Sequence, residues 1–107
     1  MSFNLNSLPV VHNEPQSRFE AACDGQLAFA EYRLRDGRMI ISHTEVPPAF
    51  QGRGIAAKIT RAALDHARSH NLLVVPSCPY TAAFLRKHTE YHDLLSPEDK
   101  LRFLTGS

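Results

Sequence analysis

The residues Gln51-Gly52-Arg53-Gly54-Ile55-Ala56 have the types and spacing to hold an anion. Two glycines let the backbone turn sharply and gather several N–H groups at one point. A helix starting near Gly54 would add its unpaired N–H groups and the positive end of its dipole. Such a turn suits a phosphate or pyrophosphate. A second pattern, His66/His70 and His88/His92, places imidazoles four apart, a spacing that can chelate zinc. His88-Thr89-Glu90-Tyr91-His92 is not H-E-x-x-H, however, and no thiolate pair or acid cluster completes a ligand set. No metal is expected.

The elements that must position the turn can be read from periodicity. Residues 1–15, with Pro9 and Pro15, read as a loose lead-in, and 16–107 as one domain. Arg18–Cys23, 26–34 and 38–46 read as strands, with Asp24-Gly25 and Asp36-Gly37 as tight hairpin turns between them. In the second strand either Leu27 and Phe29 or Ala28, Ala30 and Tyr32 face the core. From Gly54 to about His70 the period becomes helical, with Ile55, Ile59, Ala63 and Ala67 on one face and Asn71 as the stop. Leu72-Leu73-Val74-Val75 has the wholly apolar character of a buried parallel strand. Residues 80–88 form a second short helix, and Ser96-Pro97 reads as a further helix start. The fold class is α/β, a mixed sheet made of an antiparallel meander, then helix, parallel strand and helix.

Composition bounds the function. The 107 residues are 43% hydrophobic and 21% charged, with a formal net charge of +1. That balance gives no broad electrostatic footprint for nucleic acid or an anionic membrane, and no apolar window is long enough to span a bilayer. Met1-Ser2-Phe3-Asn4-Leu5 lacks the basic and apolar regions of a signal peptide. Two cysteines are too few for a disulfide framework, so a reducing cytoplasm is the expectation.

Residues 52–57 can be read as the G-x-G-x-x-A of a dinucleotide site, but Pro47-Pro48-Ala49-Phe50 separates them from the strand. The acid expected roughly 20 positions on is also absent, since Leu73-Val74-Val75-Pro76 stands there. A Walker loop would need Gly-Lys-Ser/Thr. Taken as Gln51-x-x-Gly54-x-Ala56, the turn resembles the R/Q-x-x-G-x-G/A acyl-CoA turn of the GNAT superfamily of N-acyltransferases. His43-Thr44-Glu45-Val46-Pro47 before it and Pro76-Ser77-Cys78-Pro79-Tyr80 after it resemble a minimal, single-domain branch of that superfamily, over roughly residues 16–95.

The resemblance implies an acyl-CoA-dependent N-acyltransferase, most simply an acetyltransferase. Its donor would be acetyl-CoA and its acceptor an amine on a protein or small molecule. It places the CoA pyrophosphate on the N–H groups of Gln51, Gly52, Arg53, Gly54, Ile55 and Ala56, with Arg53 and Lys58 as sources of charge. The pantetheine arm would lie between Glu45-Val46 and residues 75–78, and a backbone N–H near Val46 would polarise the thioester. His43 is the expected base; strict alternation sets it on the face of Met39, Ile41 and Glu45, unless a bulge intervenes. Cys78 has three readings: acyl acceptor, acid toward the CoA thiolate, or buried packing. Tyr80 would line the cleft or protonate the thiolate. The helices that most members carry between their first two strands are missing, which also suits a non-catalytic acyl-CoA-binding module.

Overall fold

The computed structural model describes residues 4–105. Five strands form one sheet in the order β1-β2-β3-β4-β5: β1 Val11–Asn13, β2 Arg18–Cys23, β3 Gln26–Arg35, β4 Arg38–Glu45 and β5 Leu73–Pro76. The first four are antiparallel, and β5 pairs parallel to β4 after the crossover helix α1, Ile55–Ser69. Helix α2, Pro79–Lys87, follows β5. The single turn α3, Pro97–Asp99, runs on into a π-turn over Lys100–Leu104. The expected mixed α/β sheet is therefore present.

Both hairpins turn where Asp-Gly predicts. Asp24 and Gly25 have φ of 48° and 80°, Asp36 and Gly37 of 51° and 74°, the paired left-handed conformation of a type I′ turn. Helix α1 ends as Asn71 suggests. Asn71 is left-handed at φ 56°, its N–H reaches Arg68 O, and Leu72 N–H reaches Ala67 O, closing the carbonyl end as a Schellman motif. Ser96 caps α3 by accepting from Asp99 N–H at 3.2 Å.

The segment before residue 16 is more than a loose lead-in. Leu8 is buried, β1 pairs with β2, and His12 lies flat on Phe19 with ring centroids 4.2 Å apart. Lys58, expected to serve a phosphate, instead donates to Leu5 O at 2.6 Å and ties this segment to α1. Three strand residues flanked by short 3-10 turns are too few for a visible alternation.

The sheet has a covered and an open face. Ala21, Cys23, Ala28, Ala30, Tyr32, Met39, Ile41 and Val74 point inward against Ile55, Ile59, Ala63, Leu64 and Ala67 of α1. Of the two faces possible for β3, the Ala28/Ala30/Tyr32 face is the core one. Outward lie Leu27, Phe29, Arg33, Arg35, Arg38 and Ile40, exposed or half-buried. β5 is not buried on both sides as its apolar run predicted: Val74 and Pro76 are covered, but Leu73 and Val75 only in part, because they pair with Arg38 and Ile40 on the open face.

Candidate active site

The register of β4 decides which side chains reach the site. Tyr32 pairs with Ile41 but Glu31 pairs with His43, so Ser42 is an extra residue, a β-bulge. Past the bulge Thr44, opposite the buried Ala30, points inward, while His43 and Glu45 point to the open face opposite Glu31 and Phe29. Strict alternation would have set His43 beside Met39 and Ile41. The bulge removes it from that face, and Thr44 takes the inner position.

β5 pairs with β4 only as far as Ile41 and Pro76, after which Cys78 N–H donates to Ile41 O at 2.9 Å and the chain turns into α2. The end of β4 is thus left without a neighbour on that side. On the inner side a cavity of about 340 Å³ is bounded by Thr44 of β4 and Val46 just beyond it, by Phe50, Gln51, Gly52 and Gly54 of the connecting turn, by the first turn of α1, and by Tyr80. Among the expected donor residues, Val46, Gln51, Gly52, Gly54, Ile55, Ala56 and Tyr80 line it. Glu45 and Arg53 do not, and Arg53 lies over the Phe50 ring at 5.6 Å. Thr44, Phe50 and Ala57 line it without having been expected. The helical period does place Ala57 in the first turn of α1, but Thr44 depends on the bulge, which has no sequence signature.

The glycines shape this wall. Gly52 and Gly54 have φ of 80° and 84°, a region that other residues enter only with strain. Gly54 caps α1, and the first helical bond runs from Lys58 N–H to Gly54 O. The N–H groups of Ile55, Ala56 and Ala57 therefore lie outside the helical ladder. No side chain caps them and no acid occupies the first turn. A Cβ on Gly52 would meet nothing within 4 Å, whereas one on Gly54 would stand 3.1 Å from a Leu5 methyl. Gln51 braces the loop by donating its side-chain amide to Val46 O at 3.2 Å.

Cys78 stands at the N-terminus of α2, almost fully buried, with Sγ 3.5 Å from Thr44 Oγ1. Burial pushes its thiol up, but hydrogen bonding from Thr44, with smaller help from the backbone N–H groups of Thr81 and Tyr80, outweighs burial and the net direction is down. The helix-end groups do not reach full hydrogen-bond geometry, and the buried Thr81 hydroxyl has no hydrogen-bond partner among the described residues, so Thr44 is the decisive contact. The neutral thiol donates to Thr44 Oγ1; once ionised, it accepts from the Thr44 hydroxyl. Burial holds the Tyr80 phenol above its usual range; Arg61 opposes this and Cys78 adds to it. The pair thus combines a thiol inclined to ionise with a phenol that keeps its proton.

His43 is half-exposed on the other side of β4, its Nε2 3.2 Å from Glu45 Oε1 and its ring 5.9 Å from that of Phe29. The structure therefore separates the two expected catalytic residues, with Cys78 inside and His43 outside. Cys23 is core, 1% exposed. His66 stacks on His70 at 4.0 Å and meets the edge of His12 at 4.5 Å. Among the described residues no three His, Cys, Asp or Glu side chains come together as a metal site, and no helix is long and apolar enough to cross a membrane.

The chain as a whole has known relatives. The sequence model of the GCN5-related N-acetyl-transferase family matches residues 18–94. Protein NATD1 of Bos taurus is 31% identical over 93 residues, 82% of each chain. Protein NATD1 of Danio rerio is 36% identical over 89 residues, 78% of this chain and 81% of its own. The NMR solution structure of a GCN5-like protein from Staphylococcus aureus superposes with a TM-score of 0.64 at 29% identity, covering 86% of this chain and 91% of that one.

Proposed function

The chain belongs to the GCN5-related N-acetyltransferase family, and from that premise we propose that it transfers an acetyl group from acetyl-CoA to a primary amine on a protein or small molecule. One observation carries the reading. Amide N–H groups without helical partners stand at an apolar cavity bordered by the Tyr80 phenol and by Thr44, which contacts the buried Cys78 thiol. The N–H groups of Ile55, Ala56 and Ala57 and the backbone of Gly52 and Gly54 bind the pyrophosphate. The pantetheine follows the cavity along Val46, whose backbone N–H polarises the thioester carbonyl.

The amine arrives protonated and gives up one proton to His43, which Glu45 orients. Its nitrogen then attacks the carbonyl carbon. A C–N bond forms, the C–S bond breaks, and the departing thiolate takes a proton from Cys78 or Tyr80. The amide nitrogen releases its surplus proton to solvent. In the alternative sequence the Cys78 thiolate attacks first, CoA leaves as the thiol with a proton from Tyr80, and the amine resolves the acyl-cysteine, forming the amide and releasing Cys78 as the thiolate.

Calorimetric titration with acetyl-CoA, CoA and NAD, on the wild type and Gly54→Val, tests the donor. The expected result is binding of both CoA species and not of NAD, lost in the variant. No binding of acetyl-CoA would overturn the reading. His43→Ala and Cys78→Ala then test the roles against an acceptor that turns over. Full activity in both would remove these residues from the mechanism. The separation of His43 from Cys78 also favours a second reading, an acyl-CoA-binding module without turnover. It predicts tight CoA binding with no transfer to any amine, and reproducible transfer would eliminate it.

A further inference from the structure

Building on the transfer reading, we propose that the open face of β2, β3 and β4 is the acceptor-docking surface. Its occupant is an extended peptide segment whose lysine is flanked by acidic side chains.

Pairing sets the outward residues in rows. Glu20, Phe29 and Glu45 form one row, and Arg18, Glu31 and His43 the next. Arg33 beside Ile40, then Arg35 beside Arg38, form the rows that follow. Successive rows are two residues, roughly 7 Å, apart. In the first two rows Arg18 is taken up by Glu20 at 3.0 Å and by the Phe29 ring at 4.9 Å. Glu31 and Glu45 remain as negative charge around His43, and Glu31 forms no ion pair among the described residues.

The far rows have the opposite sign. Arg33, Arg35, Arg38 and Arg102 form no ion pair among the described residues. Arg35, Arg38 and Arg102 border a hollow of about 350 Å³ that also includes Ile40 and Val75. Asp36 and Asp99 stand on its wall, and three arginines against two aspartates leave it positive. Arg35 lies directly opposite Arg38, a like-charge pair that weakens the hairpin and that folding does not require.

The result is a negative zone at His43 and a positive zone roughly 7–14 Å away along the same strands. A cation at one end and anions two to four extended residues along would satisfy both zones. A nucleic acid would meet the carboxylate rows, and a polyamine would leave the arginines unused. Proximity to the donor cavity follows from the end of β4 and the residue beyond it, where His43 and Glu45 alternate with Thr44 and Val46. β5 covers that edge no further than Ile41. A lysine lying on the open face can therefore pass the edge toward the thioester.

The test is fluorescence anisotropy at low salt. The probe is a short labelled peptide with one central lysine and glutamates about two and four positions to either side. Its controls are the same peptide with glutamines, a version with arginines, and a single-stranded DNA. The wild type is expected to bind the glutamate peptide about tenfold more tightly than the glutamine one, with the difference fading at high salt. Arg38→Glu, on an exposed side chain, is expected to melt no lower than wild type, to lose that preference and to favour the arginine peptide. Equal affinity for glutamate and glutamine peptides, or an unchanged preference in Arg38→Glu, would overturn the proposal. So would DNA outcompeting the peptide. Calorimetry with acetyl-CoA on the same samples separates the two readings. Donor binding without a peptide preference sinks the docking surface alone, and a peptide preference without donor binding sinks the transfer reading alone.

Discussion

The two sides of β4 near its end differ in almost every physical respect. Inward, Thr44 and Val46 meet the glycine turn and the buried Cys78. Outward, His43 and Glu45 stand half-exposed on a face that no helix of the core covers. One extra residue, Ser42, sets which of these consecutive side chains faces which side. The inner side carries the fold, so its residues are fixed by packing as well as by chemistry. The outer side is exposed or half-buried, so packing constrains its side chains less.

Truncating one residue on each face would break this contrast if it is wrong. Leu64→Ala, fully buried, is expected to lose about 2–5 kcal/mol in denaturant unfolding, whereas the half-buried Ile40→Ala loses about 1 kcal/mol or less. Equal losses would mean that the outer face is a second core. Deleting Ser42 sharpens the contrast differently. It keeps each side chain on its face but removes the kink, so turnover is expected to fall by about 10²-fold through misplaced groups, with the melting temperature little changed.

Thr44→Val tests the inner chemistry alone. A hydrogen bond to a charged group is worth about 1.5–3 kcal/mol, so the Cys78 thiolate fraction near neutral pH should drop about tenfold. Ultraviolet absorbance of the thiolate measures this, and an unchanged value would give the depressed thiol another cause. The smallest effect concerns His66, whose imidazole is held down first by burial and then by His70 and His12, with Glu14 opposing. A base with a lowered folded-state value binds fewer protons folded than unfolded. Its stabilisation is complete above about pH 6.5 and is lost as pH falls toward the folded value. The melting temperature should therefore drop by a few degrees on acidification below that pH, and by less in His66→Gln.

Local chemistry made much of this legible. Asp-Gly pairs specify their own turns, Asn71 its helix stop, and the glycine spacing a left-handed loop before α1. Non-local choices were not legible. The bulge at Ser42 reflects the fit of β4 between two neighbours, so the inward turn of Thr44 and the outward turn of His43 had no signal in the sequence. Lys58 shows the same limit: a cation beside a glycine turn looks like a ligand until the Leu5 carbonyl is seen to hold it. The pairing of β1 lay hidden in three residues, and the partial exposure of β5 depended on one face of the sheet being left open.

The central claim is that the turn between β4 and α1 binds the acyl donor, and an NMR titration of the amide spectrum with acetyl-CoA tests it most directly. The account predicts saturable shifts concentrated at the amides of Val46, Gly52, Gly54, Ile55, Ala56 and Ala57 and at Tyr80, with the His12–His66 cluster unmoved. Shifts centred elsewhere, or none at saturating acetyl-CoA, would contradict it.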